Sequence, residues 1–458
     1  MTIGASGTTN TGMRIAVVGA GWAGCAAAVQ ATRLGHQVTV FETGRTAGGR
    51  ARRVDVSHQG TRFTLDNGQH ILIGAYLETL KLMADVGVGV AAGLHRMPLT
   101  LRFADGSGLK LPSLPAPLDA LVGIICGKGW TWADKLSLLK TAAGWQLGKF
   151  KCPPDYSVAD LCQPVSPRIM ATLIEPLCVS ALNTPASRAS GQVFLRVLQD
   201  SLFAGSGGSN LLLPRVDLSA LLPNAALAWL SAHGGTAQLG VRVQSLTQDG
   251  STAWQLVGAG DGLLGQFDRV ILACPPVDAA RLVRSTGLPV RDWLALAESL
   301  TYEAIATVYA LAPGYQLAEP MLALASNSDY PAQFVFDRSQ LGGPAGLLAF
   351  VVSASQPSSE RLAQQVSAQA KAQLGINNLT VLQTIVEKRA TFACTPGLKR
   401  PGQLVVAAGL LACGDYTDGP YPATLEGAVR SGLQAAQLLS HLDPPKLQSR
   451  SVSVSVKS

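Results

Sequence analysis

Residues 13–42 read MRIAVVGAGWAGCAAAVQATRLGHQVTVFE, and their order decides the fold. An apolar run, Ile15 to Val18, enters Gly19-Ala20-Gly21-Trp22-Ala23-Gly24 and then an alanine-rich stretch of helical composition. Gly35 is the expected helix stop, and Gln37 to Phe41 is a second strand that closes on the acid Glu42. Each glycine has its own physical task in a dinucleotide site. Gly19 permits the tight turn, Gly21 lets backbone approach a pyrophosphate, and Gly24 lets the helix lie close on the strand. The helix start offers free N–H groups and the positive end of its dipole to phosphates. Glu42, about 20 residues along, is placed to accept the hydroxyls of an adenosine ribose. In a chain with 48 glycines the pattern alone could be a bare turn. Strand, helix, second strand and acid in register point instead to a bound dinucleotide and a Rossmann-type α/β fold.

Directly after Glu42 comes Thr43-Gly44-Arg45-Thr46-Ala47-Gly48-Gly49-Arg50. Two glycines between arginines let backbone pass close to a cofactor while guanidinium groups face its phosphates. The segment resembles the arginine–Gly-Gly–arginine signature of the flavin amine oxidase and phytoene desaturase superfamily. The resemblance implies FAD, with Arg45, Gly48, Gly49 and Arg50 beside it. A second half-motif lies near the C-terminus. Leu404 to Leu411 reads as an apolar strand and runs into Ala412-Cys413-Gly414-Asp415, then Pro422-Ala423-Thr424-Leu425-Glu426-Gly427-Ala428 at the head of another small-residue helix. In the superfamily the aspartate of the Gly414-Asp415 pair bonds the ribityl–pyrophosphate part of FAD. The helix behind Thr424 and Leu425 aims its N-terminus at the flavin pyrimidine edge, where it stabilises negative charge.

The superfamily pattern implies a discontinuous FAD-binding domain of the flavin amine oxidase type, in segments 13–89, 210–276 and 393–440. Leu218 to Ala232 reads as one helix, Thr236 to Leu246 as an alternating strand and Arg269 to Pro276 as a buried strand. Val243 is the position matching the valine that contacts adenine. The insertions 90–209 and 277–392 are expected to form an α+β substrate domain, with strands at Ala304–Leu311, Gln333–Phe336 and Leu347–Val352. Segments 1–12 and 441–458 are expected to be a disordered leader and tail. No second GxGxxG in strand–helix–strand context occurs. Electrons therefore pass between flavin and substrate, oxygen, a quinone or another carrier, and the donor is not identified.

Two stretches narrow the family. DNGQHILIGAY (Asp66 to Tyr76) and GDYTDGPYPATLEGAVRSG (Gly414 to Gly432), supported by LIEPLCVSALNT (Leu173 to Thr184), resemble the bacterial squalene-associated flavoproteins, the FAD-dependent hydroxysqualene dehydroxylases of hopanoid pathways. Tyr416 and Tyr421 depart from that pattern. The resemblance implies reduction of the allylic alcohol hydroxysqualene to squalene, with Gly68 and Gln69 in a loop along the flavin. Hydride is expected from reduced flavin N5 while an acid protonates the departing oxygen. His70 is the candidate acid, because a near-neutral pKa suits proton donation; its alternative is a structural residue whose backbone lines the flavin. Asp418 and Tyr421 are secondary candidates, and Glu175-Pro176 reads as a helix start. Two other readings stay open. One is an oxidative desaturase or oxidase of a carotenoid-like or amine substrate. The other is a non-catalytic lipid- or protein-binding module like the GDP-dissociation inhibitors, against which the intact Arg-Gly-Gly-Arg and Gly-Asp motifs argue.

Composition bounds the rest. The 458 residues are 47% hydrophobic and 14% charged, with a mean hydropathy of +0.25. No apolar run approaches the ~20 residues needed to span a bilayer, and the N-terminus lacks the form of a signal peptide. A net charge of +7 without a basic cluster among aromatics argues against nucleic acid; it suits an anionic membrane surface, or equally a mild basicity with no partner. The helical stretch Ala133 to Leu147, with Lys135, Lys140 and Lys149, is the expected contact; Trp130, Trp132 and Trp145 nearby read as core. Eight cysteines without paired spacing read as reduced thiols, and six histidines without ligand spacing argue against a metal. The expected location is cytoplasmic, peripheral on the inner face of the membrane, with the oligomeric state open.

Overall fold

The computed structural model describes residues 12–202, 205, 207–248, 253–355, 358–402 and 404–439. The expected disordered segments lie outside the described residues, apart from Gly12. A six-stranded sheet runs in the order Thr236–Leu239, Gln37–Glu42, Arg14–Val18, Arg269–Leu272, Leu410–Ala412, Val405–Ala407. All neighbours are parallel except the last pair. Ile15, Ala16 and Val17 are fully buried at its centre, as a strand covered on both faces requires. The Trp22–Arg33 helix follows the first strand and stops where Gly35 turns to φ +87, with the His36 N–H closing onto Ala31 O. The architecture is the α/β one expected.

Three local readings need correction. Leu404 to Leu411 is not one strand: Val405–Ala407 and Leu410–Ala412 pair antiparallel about Gly409, at φ +74. The apolar run conceals this turn because both arms are buried or half-buried. The strand from Thr236 ends at Leu239; residues 241–244 lie outside any strand, though Val241 N–H still donates to Glu42 O at 2.9 Å, and Ser245–Thr247 opens a separate antiparallel sheet with Trp254–Val257 and Leu263–Phe267. The helix expected over 218–232 breaks at Leu222 (φ −145, ψ −55). A residue preceding proline, here Pro223, is driven out of the helical region by the ring.

The second half holds a five-stranded antiparallel sheet in the order Met321–Ala323, Phe334–Asp337, Leu347–Ser353, Tyr302–Leu311, Thr380–Phe392. Period-two alternation gives its faces different jobs. Ala306, Val308, Val335, Phe350 and Val352 pack with Leu362 and Val366 of the Ser359–Leu374 helix. Ile305, Phe334, Phe336, Val351 and Ser353 point the other way, into a cavity. The other insertion is helical, including Leu118–Cys126, Trp132–Leu147, Glu175–Leu182 and Gly191–Leu202. Trp130 is core, its indole N–H bonded to Thr172 Oγ1, but Trp132 is 72% exposed. Lys135 does not face solvent as expected: it is buried, and its Nζ donates to Ile125 O at 2.7 Å.

Candidate functional site

A cavity of about 800 Å³ opens at the C-terminal ends of the parallel strands, where Val18, Phe41 and Ala273 meet the apolar face of the antiparallel sheet. Open α/β sheets bind ligands in this position. Its floor is the quoted turn. Gly19 sits at φ +112, and a Cβ there would lie 2.6 Å from Ala273 O. Gly21 is an N-cap without a side-chain cap, so the start of the helix faces the cavity open for an anion. The Gly48-Gly49 backbone lies alongside: Gly48 bridges Gly21 and donates its N–H to Ala20 O at 2.9 Å. Trp22 ties the two loops through its indole N–H to Ala51 O.

The Glu42 carboxylate lines the cavity and is held from both sides, by Ala20 N–H at 2.8 Å and Gly44 N–H at 2.7 Å. Glu42→Ala is therefore expected to weaken flavin binding about 10–100-fold, the worth of one charge-assisted hydrogen bond. Titration of apoprotein with FAD measures it; an unchanged affinity would remove Glu42 from the cofactor site. Arg45 and Val243 also line the cavity, Val243 from the irregular segment that precedes Ser245.

Arg50 joins the distant motifs. Its guanidinium pairs with Asp415 Oδ1 at 2.5 Å and donates to Ala390 O at 2.7 Å. Burial opposes the Arg50 charge, but the Asp415 carboxylate outweighs it and holds the guanidinium above its ordinary pKa. Gly414, Asp415, Thr424 and Leu425 line the same cavity, with Leu425 opening the Leu425–Leu439 helix. The Tyr416 hydroxyl is buried at the cavity wall without a hydrogen-bond partner among the described residues, and burial keeps it protonated as a donor. An uncapped helix start, a backbone cradle at Gly21 and Gly48, and an orphaned donor at Tyr416 together fit a bound dinucleotide.

Gly68, Gln69 and His70 line the cavity on the opposite side. His70 Nδ1–H donates to Gly68 O at 2.8 Å, because a carbonyl can only accept, so Nε2 carries the lone pair in the neutral ring. Burial lowers the His70 pKa, and nearby Arg50 lowers it further, against the opposing effect of the Gly68 carbonyl. Asp66, pushed up to about 6 by burial, is structural: its carboxylate caps Leu218 N–H at 2.8 Å.

The other predicted positions fall elsewhere. Gly24 is not at the cavity but behind it, where a Cβ would meet Gly19 O at 1.9 Å. Asp418 does not reach the cavity: its side chain is 66% exposed and pairs with Arg400, whose guanidinium also clamps Thr417 O and Gly419 O. Tyr421 is turned away as well, packed edge-on to Tyr76 and beneath the Arg430 guanidinium. Tyr76 lines the cavity in its place. Closeness in sequence to a helix start cannot tell which side of a turn a residue occupies.

The apolar wall carries no sequence motif that marks it as a site. Phe334, Phe336 and Val351 come from the antiparallel sheet, and their strand alternation was the available signal. Val179 and Ala181 come from the Glu175–Leu182 helix, which follows a π-helical stretch, Met170–Ile174. Pro176 cannot donate to Thr172 O, so the wider turn before it removes the conflict. Asn183, left-handed at φ +46, ends the helix and locks it to the sheet through Thr391 Oγ1 and Ala354 N–H.

Comparison with known proteins gives consistent matches. The pattern of the flavin containing amine oxidoreductase family matches residues 22–440. A hydroxysqualene dehydroxylase of Rhodopseudomonas palustris is 30% identical over 438 residues, covering 92% of this chain and 97% of that one. A hydroxysqualene dehydroxylase of Zymomonas mobilis is 26% identical, covering 93% and 99%. The solved structure of cyclohexylamine oxidase from Brevibacterium oxydans superposes with a TM-score of 0.66 at 15% identity, covering 94% and 99%, a likeness of fold.

Proposed function

The chain belongs to the flavin containing amine oxidoreductases and, among them, to the hydroxysqualene dehydroxylase family, and from that premise we propose that it reduces hydroxysqualene to squalene for hopanoid synthesis. It is an FAD-dependent oxidoreductase, so the non-catalytic binding reading falls away. The observation that carries the substrate is the wall of Ile305, Phe334, Phe336 and Val351 facing the flavin-binding loops, which suits an isoprenoid chain.

In the reaction the allylic C–O bond breaks, a proton joins the departing oxygen to make water, and a hydride forms the new C–H bond. Bound FAD, once reduced, supplies that hydride. The protein contributes the apolar wall, the Arg50–Asp415 pair that ties the two flavin-binding motifs together, and a proton. His70 is the proposed proton source. Its charged form is disfavoured, which makes the imidazolium a stronger acid but a minority species at neutral pH. The rate is therefore expected to rise as pH falls toward and below 6.5, the ordinary imidazole value. His70→Gln can still bond Gly68 O, so it should keep its flavin, lose this acid limb and slow about a hundredfold or more. An unaltered pH profile in that variant would take His70 out of the mechanism.

The direct test is an anaerobic single turnover with the flavin reduced beforehand. Reoxidation on adding hydroxysqualene, with stoichiometric squalene, is the expected result. No reoxidation, together with flavin reduction by a carotenoid-like substrate, would assign the oxidative desaturase reaction instead.

A further inference from the structure

Large hydrophobic side chains stand in solvent along two consecutive helices of the helical insertion. Leu118, Leu121 and Ile125 are exposed at i, i+3 and i+7 of the Leu118–Cys126 helix, one face of it. Trp132, Leu136 and Leu147 are exposed along one stripe of the Trp132–Leu147 helix, with Lys140 inside that stripe. Leu147 is 86% exposed. The two helices pack together, and Lys135 fastens their facing ends: its Nζ bonds Ile125 O and lies 5.0 Å from the centre of the Trp132 ring. The apolar stripes therefore adjoin.

The exposed charges carried by segment 111–151 have one sign. From Leu111 to Lys151 the acidic residues are Asp119 and Asp134, both buried, whereas Lys128, Lys140, Lys149 and Lys151 are exposed. Among the described residues no helix is long and apolar enough to cross a membrane. Short amphipathic helices with leucine and tryptophan on one face and lysines beside them lie in the plane of a bilayer interface.

We propose that the Leu118–Cys126 and Trp132–Leu147 helices form a docking face for an anionic phospholipid surface. Charge decides between this occupant and a second copy of the chain. In a two-fold dimer through this face the lysines of segment 111–151 would be brought together, and that segment offers no exposed acid to pair with them, which is repulsive. Lipid phosphates neutralise them. The face is read from the surface alone, independently of the substrate proposed above.

The test is sedimentation of the full-length, FAD-loaded protein with vesicles, in the absence of substrate. Binding is expected to equal parts phosphatidylcholine and phosphatidylglycerol, weakening with salt, and to be much weaker to phosphatidylcholine alone. Replacing Leu118, Trp132 and Leu136 together by serine should lower partitioning at least about tenfold. Reversing Lys128, Lys140 and Lys149 to glutamate should lower it about a hundredfold or more. Both variants should keep the flavin spectrum and turnover of detergent-dispersed substrate. Equal binding by wild type and variants, or no binding to either vesicle, would overturn the proposal. A concentration-dependent dimer abolished by the serine substitutions would also overturn it and assign the face to a second copy.

Discussion

Gly24→Val protein is expected to purify almost without flavin. A Cβ at position 24 would lie 1.9 Å from Gly19 O, 3.0 Å from Gly19 C and 3.1 Å from Ala273 Cβ. Neither backbone group can retreat. Gly19 is held by its N–H to Phe41 O at 2.7 Å and already abuts Ala273 on its other side. The helix must then lift off the strand, carrying with it the N–H groups that face the cavity. Overpacking of this kind costs about 1–3 kcal/mol or more in stability. The larger loss is in the site, where a displaced anion-binding helix start should weaken FAD binding by about a hundredfold or more. The ratio of flavin to protein absorbance reads the result directly. Gly144→Ala is the control: among the described residues nothing beyond the helix's own backbone lies within 4 Å of its Cβ position in the Trp132–Leu147 helix, so flavin content should be unchanged. A fully loaded Gly24→Val protein would refute the tight helix–strand contact.

Glu426→Ala is expected to destabilise the fold by about 2–4 kcal/mol, the effect of leaving buried hydrogen-bond donors without their acceptor. The carboxylate is fully buried and takes four hydrogen bonds: Glu78 N–H at 3.1 Å, Thr79 N–H at 2.9 Å, Thr79 Oγ1 at 2.7 Å and Arg430 Nε at 2.7 Å. It caps the Leu77–Asp85 helix, whose own N-cap, Tyr76, offers no side-chain cap. Alanine would strand those donors and leave the Arg430 charge unpaired. Glu426→Gln keeps an acceptor and should cost less, about 1–2 kcal/mol. Denaturant unfolding of both variants measures the difference. A loss below about 1 kcal/mol for the alanine variant would mean that water replaces the carboxylate freely.

Glu426 was visible in sequence only as part of a family string, and the helix it caps, at Glu78 and Thr79, lies 348 and 347 residues away. The same division runs through the whole site. The cofactor half was readable because its demands are local. A turn that tolerates no Cβ at Gly19, a helix that tolerates none at Gly24 and an acid ending the next strand all fall within thirty consecutive residues, where sterics alone dictate residue type. The Gly-Gly and Gly-Asp segments carry the same kind of constraint, and with them came the cofactor, the fold class and the family. Side-chain facing carries no such mark. Asp418 and Tyr421 follow the flavin motif closely, yet the turn sends both away from the cavity. Lys135 reads as a surface cation, yet it closes a helix end. The Arg50–Asp415 pair spans 365 residues, and the apolar wall comes from strands paired across the second half. Only tertiary packing decided those, because burial and the charge state of His70 depend on which distant segments come together to exclude water.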